Sequence, residues 1–169
     1  MPSPTPPRWR LARPEDDPEI VALCLALQRD DPGPTPIPPA QVRRTLRVFR
    51  EHPLRGTAVV LDAGGQAEGF ALLLPLWSNE LGGEVCFVDE LYVVPARRGQ
   101  GLGRSLLESI ARGRGVWPRK PAAVAVEVTP GNRRARRFYE RLGFVRTNLA
   151  MVLRVRHPRT RTRRRSRIR

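Results

Sequence analysis

Apolar positions along this chain follow a helical period at first and a strand period later. Ile20, Val21, Leu23, Cys24 and Leu27 recur at helical spacing behind Asp16 and Asp17, acids suited to a first turn. Pro32, Pro34, Pro36, Pro38 and Pro39 then forbid regular structure across residues 30–39, because proline fixes φ and lacks a donor. A second helix is predicted over 39–51, with Val42, Leu46 and Phe49 on one face and arginines elsewhere. Beyond it the period falls to two. Residues 57–62 and 68–77 read as strands of an antiparallel hairpin joined through Ala63-Gly64-Gly65-Gln66. Residues 84–94 form a long third strand after a loop at 78–83, and 8–12 a short first one.

The rest of the pattern alternates helix and strand. Leu102, Leu106, Leu107 and Ile110 mark a helix, and 112–121 a loop. Residues 122–128 carry nothing polar before Glu127, which predicts a strand buried on both faces. Residues 131–142 form a basic helix that stops at Gly143, a residue suited to the position after a helix end. Residues 144–145 and 149–155 read as terminal strands. No internal repeat is visible.

Composition bounds the function. A chain of 169 residues with 40% hydrophobic content supports one domain with a core of its own. Cys24 and Cys86 lie in apolar runs without C-x-x-C spacing, which points to buried free thiols in a reducing compartment. No apolar run approaches the roughly 18 residues of a membrane span. Residues 1–7 are proline-rich and lack the apolar stretch of a signal peptide, so they read as a disordered arm and the protein as cytoplasmic. The net charge of +15 is concentrated at one end: residues 154–169 hold nine arginines and no acid. Residues 156–169 therefore read as a self-repelling, disordered tail, and 8–155 as the folded domain. Nucleic acid is a partner to consider through that tail alone, since arginines neutralise phosphates but no aromatic residue is interleaved for stacking. His52 and His157 belong to no ligand cluster, so no metal is expected.

Between the third strand and the next helix stands Arg98-Gly99-Gln100-Gly101-Leu102-Gly103. Glycines there let backbone amides approach an anion at the positive end of a helix, which suits a phosphate or pyrophosphate. The spacing G-x-G-x-G is neither the P-loop string nor the G-x-G-x-x-G of dinucleotide folds. Taken alone, a tight strand-to-helix turn remains the other reading.

The neighbouring residues narrow the choice. Arg98-x-x-Gly101-x-Gly103 follows Phe87-Val88-Asp89-Glu90-Leu91-Tyr92-Val93-Val94-Pro95. Asn132, Ala135, Phe138, Tyr139, Glu140, Leu142, Gly143 and Phe144 come about 30 residues later, with a strand between. Both strings resemble the two hallmarks of the GNAT superfamily of N-acetyltransferases, and the resemblance covers roughly residues 8–155. It implies an α/β fold: a mixed, mostly antiparallel sheet of six or seven strands, flanked by about four helices, with a splayed central strand pair forming a cleft for CoA. It implies acetyl-CoA as co-substrate and a primary amine as acceptor, through a tetrahedral intermediate. A homodimer is common among such proteins.

Carried onto this sequence, the resemblance puts the pantetheine arm along the backbone of Leu91, Tyr92 and Val93. The pyrophosphate falls on Arg98, Gly99, Gln100, Gly101, Leu102, Gly103 and Arg104. Asn132 either meets the pantetheine or caps its helix, and both roles fit. Tyr139 matches the family's general acid, with a packing tyrosine as the alternative. The amide of Val93 or Leu91 receives the oxyanion. Asp89 and Glu90 resemble the acidic pair of the spermidine/spermine branch with the order exchanged, and Glu90, then Asp89, is the candidate base. Adjacent strand residues point to opposite faces, so only one of the two faces the acceptor unless a bulge intervenes. Trp77, Asn79 and Glu80, at the loop before that strand, are expected to edge the acceptor pocket. The acceptor itself is not legible; the paired acids favour a cationic amine.

Overall fold

The computed structural model describes residues 6–117 and 119–147. Five strands form one sheet among the described residues: β1 (Arg8–Leu11), β2 (Thr57–Ala63), β3 (Gln66–Ser78), β4 (Gly83–Val93) and β5 (Ala123–Val126), in that spatial order. Pairing is antiparallel from β1 to β4 and parallel between β4 and β5. Among the described residues four helices flank the sheet: α1 (Asp17–Asp30), α2 (Pro39–Glu51), α3 (Leu102–Ala111) and α4 (Arg133–Arg141). This is the α/β architecture expected, with five strands described where six or seven are predicted. Residues 144–145, expected as a strand, are irregular. The predicted strand 149–155, and the tail beyond it, lie outside the described residues.

Two apolar clusters hold the helices to opposite faces of the sheet. On one face, Ile20, Leu23 and Cys24 of α1 and Val42 and Leu46 of α2 pack on Val60, Phe70, Leu72 and Tyr92. On the other, Leu106, Leu107 and Ile110 of α3 and Tyr139 of α4 pack on Val59, Ala71, Leu73, Cys86 and Val88. Alternation along each strand delivers both sets, since successive side chains leave opposite faces. Asp16, the one buried acid among the described residues, is held by two bonds from the Arg10 guanidinium (2.7 and 2.9 Å) and by the Arg13 amide. Arg10 also binds Asp62, so one guanidinium ties β1, the start of α1 and β2.

Strand β5 departs from expectation in its burial. All four of its residues are half-buried rather than enclosed on both faces. It stands last in the described sheet and pairs along four positions only, from Val85↔Ala123 to Val88↔Val126.

Candidate functional site

The site begins with an irregularity in β4. Leu72 of β3 faces Glu90, yet Leu73 faces Val88, so Asp89 is an extra residue on β4. Such a bulge bends its strand, increases the local twist and resets the alternation of side chains. Cys86 and Val88 therefore belong to the α3–α4 face, while Glu90 reaches Cys24 on α1 and Tyr92 packs on the α1–α2 face. The bulge also coincides with the end of β4–β5 pairing at Val88↔Val126. Strand β4 runs on to Val93 without a parallel partner among the described residues. The two parallel strands thus splay where the chemistry was expected.

The backbone of the splayed segment is oriented by its partner. The Val94 amide donates to Glu68 O at 3.0 Å, and Tyr92 and Glu90 follow at alternate positions towards β3. By the same alternation the amides of Leu91 and Val93 turn to the open side. Both expected oxyanion donors therefore point into the cleft.

Beyond β4 the chain makes a short 3-10 turn, Pro95–Arg97, and reaches Gly99 and Gly101 at φ +81 and +75. These left-handed conformations favour glycine and aim the connecting amides one way. Among the described residues, none of the six amides from Gly99 to Arg104 donates to a protein acceptor, and Ser105 N is the first bonded, to Gly101 O. They stand at the N-terminus of the ten-residue α3, where orphan donors and the helix dipole together favour an anion. Gly103 serves packing instead: a Cβ there would meet Phe138 Cζ at 3.1 Å, so its absence lets α3 approach α4.

Arg98 is engaged on three sides. Its Nε donates to Val93 O at 2.8 Å, its Nη2 to Asp30 Oδ2 at 2.6 Å, and its guanidinium lies 5.1 Å from the Tyr92 ring centre. It holds Asp30 below the ordinary carboxylate range. The next residue of α1's end, Asp31, accepts from Asn132 Nδ2 at 2.7 Å and Thr129 Oγ1 at 3.2 Å. Consecutive acids thus tie one helix end to both lips of the cleft. Asn132 also caps α4, its Oδ1 accepting from the Ala135 amide. The capping reading of Asn132 holds, and its amide nitrogen makes one bond, to Asp31.

Tyr139 lies on the α3–α4 face, 8% exposed, edge-on to Phe138 and Phe144 at 5.0 and 5.3 Å. Leu91, Val126 and Val128 share its cluster, which puts the ring beneath the splay. Burial pushes its phenol up to about 12. Glu90 lies on the opposite face. Burial raises its carboxyl most, the Cys24 thiol works against that rise, and Asp89 adds to it. Asp89, although its side chain is exposed, is raised first by partial desolvation at the bulge and then by the charge of Glu127. Glu127 follows Val126 as Asp89 follows Val88, so it stands across the opening strands and supplies a third carboxylate. The sequence reading missed it, although the first polar residue after the apolar run 122–126 was a signal.

Trp77, Asn79 and Glu80 are not brought to this cleft. They stand at the exposed tip of the β3–β4 hairpin, where Trp77 pairs with Glu84. Six residues of strand separate that point from Glu90, about 20 Å at the usual rise. Among the described residues no group of His, Cys, Asp or Glu could hold a metal ion.

Residues 15–144 match the profile of the acetyltransferase (GNAT) family. The chain belongs to the GNAT acetyltransferase family. A possible acetyltransferase from Clostridium difficile 630 superposes with a TM-score of 0.72 at 18% identity, covering 89% of this chain and 99% of that one. An aminoglycoside N-acetyltransferase in complex with CoA gives 0.68 at 19% identity, covering 93% and 99%. In sequence, N-alpha-acetyltransferase 40 of Saccharomyces cerevisiae is 39% identical over 93 residues, which span 52% of this chain and 30% of that protein. In this GNAT protein the unengaged amides of the glycine loop follow the stretch of β4 that lacks a parallel partner among the described residues, with Glu90 on one face of the sheet and the buried Tyr139 phenol on the other.

Proposed function

We propose that this GNAT protein transfers an acetyl group from acetyl-CoA to a primary amine, and that the amine is the N-terminus of a polypeptide. The observation that carries the first part is the run of six unengaged amides from Gly99 to Arg104 at the start of α3. A pyrophosphate fits that donor set, and the open edge of Leu91–Val93 suits the amide-bearing pantetheine arm. The second part is supported by the sequence match to an N-alpha-acetyltransferase and by the carboxylates Glu90, Asp89 and Glu127, which suit a cationic amine.

The roles follow from position. Acetyl-CoA, when bound, supplies the activated thioester. Glu90 takes the proton of the attacking amine, while Asp89 and Glu127 attract its charged form. The amide of Leu91 or Val93 donates to the carbonyl oxygen as charge develops on it. Tyr139 gives its proton to the departing sulfur from the opposite face and regains one from solvent. Residues 8–155 are the catalytic domain in this reading. The free, buried Cys24 and Cys86 suit a reducing compartment such as the cytoplasm, and among the described residues no helix is long and apolar enough to cross a membrane.

Calorimetry with acetyl-CoA, against NADH and ATP, tests the cradle: micromolar binding of acetyl-CoA alone is expected, and equal or absent binding of all three overturns it. CoA-thiol release then separates acceptors. Turnover is expected with peptides bearing free serine, alanine or glycine N-termini, and none with Nα-blocked lysine peptides or spermidine. The reverse pattern overturns the polypeptide N-terminus as acceptor.

A further inference from the structure

Glu90 is a carboxylate on an apolar face. It leaves β4 on the side of α1 and α2, where its cross-strand partner is Leu72 and the α2 members of the cluster, Val42 and Leu46, are apolar. The one side-chain hydrogen bond it makes among the described residues is from a thiol: Cys24 Sγ lies 3.4 Å from Glu90 Oε2. Cys24 is 2% exposed, on the inward face of α1, and makes no disulfide. Burial raises its own ionisation well above the usual thiol range, so it stays an S–H donor, and a thiolate is excluded at working pH.

We propose that Cys24 is a positioning residue for acyl transfer: its thiol donates to Glu90 Oε2 and holds that carboxylate on the α1 side of the cleft. The inference rests on Glu90 being the proton acceptor. A valine or leucine would fill the same space in α1 with better packing, yet would leave the half-buried Glu90 carboxylate without a donor. A thiol supplies a weak donor, enough to orient Glu90 without quenching its basicity. The titratable groups acting on Glu90 are few. Cys24 faces it from α1, Asp89 precedes it on β4, and Glu127 acts across the cleft on Asp89; α2 and β3 contribute no titratable group.

The test uses the full chain and two readouts. Carboxyl carbon NMR of glutamate-labelled protein, with the Glu90 signal assigned through Glu90→Gln, gives its titration midpoint. The acid limb of kcat/KM with acetyl-CoA and a serine-N-terminal peptide gives the functional counterpart. Cys24→Ala and Cys24→Val remove the donor while differing in volume, so both are expected to move the midpoint up by about half a pH unit. Cys24→Ser keeps a donor and is expected below both. Should the serine variant fail to fold, the alanine–valine pair still decides, since a packing role would separate those two and a hydrogen-bond role would not. Unmoved midpoints in both overturn the inference and leave the role of Glu90 standing. Midpoints that move while the acid limb stays fixed remove Glu90 from the base role, and the role of Cys24 falls with it.

Discussion

Tyr139 and Glu90 pack on opposite faces of one sheet, and that separation divides the proposed acid from the proposed base. Removing only the Tyr139 hydroxyl leaves the ring between Phe138 and Phe144, so Tyr139→Phe is expected to keep its fold and its acetyl-CoA KM. Its kcat is expected to fall about 100-fold, in the range typical of a lost general acid. Steady-state kinetics on both substrates separate the two parameters. Glu90 gives the opposite stability signature. Its folded pKa is raised above the ordinary 4.5, so the unfolded chain ionises it more readily. The folded state is therefore penalised as pH rises through that window, and the penalty is complete above the folded pKa. Glu90→Gln is expected to abolish most transfer while raising Tm at pH 7, with the gain gone below about pH 4. Melting curves at the two pH values check it; an equal gain at both would mean the effect is packing rather than charge. The bulge that frees Glu90 was invisible in the sequence. Two adjacent acids between apolar pairs in Phe87 to Val93 do not tell where a strand is bulged, and the inserted Asp89 shows only in the register against β3.

At the scale of elements, helices α1 and α2, the β2–β3 hairpin and the glycine loop were legible because local chemistry fixes them. Prolines bound α1 from α2, and Gly64-Gly65 turn the hairpin at positive φ. What escaped depends on contacts distant in sequence: the half-buried state of β5, the absence of a strand at 144–145, and the hairpin tip that carries Trp77 away from the cleft. The two glycines of the motif do separate work. Gly101 has open space for a Cβ but a φ of +75, so Gly101→Ala strains the backbone by about 1 kcal/mol and distorts the cradle. Gly103 lies in α3 beside Phe138, so Gly103→Ala crowds the Phe138 ring instead. Calorimetry is expected to show the first losing about tenfold in acetyl-CoA affinity. The second is expected to keep affinity and lose kcat, since Phe138 adjoins Tyr139. The acidic end of α1 offers a converse case. Asp30 occupies Arg98 at 2.6 Å, so Asp30→Asn releases that guanidinium for a cofactor anion. Exposed pairs are weak and screened by salt, so a gain of about two- to fivefold in acetyl-CoA affinity at low ionic strength, fading at high, is expected.

For the whole molecule, charge divides the chain where motifs end. Residues 156–169 contain eight of the 31 basic residues and no acid, and none of the residues assigned to transfer. In the body, Arg10, Arg50, Arg97 and Arg98 each bond a carboxylate across elements, and all 16 acids of the chain lie before residue 156. The positive charge is therefore densest at the end of the chain, where no acid offsets it. Each phosphate neutralised releases counterions, so polyanion binding there falls steeply with salt, whereas acetyl transfer in a cleft of backbone donors does not. Ending the chain at Val155 is expected to leave kcat and the acetyl-CoA KM within about twofold. Affinity for a single-stranded RNA oligomer at 50 mM salt is expected to drop about 100-fold, and the slope of log K against log salt to flatten. Fluorescence anisotropy and initial rates on the same two proteins measure both. Loss of transfer with the tail would place residues beyond Val155 in the fold or in acceptor binding. Undiminished RNA affinity would move the anion surface to the exposed arginines of α4, Arg133, Arg134 and Arg137.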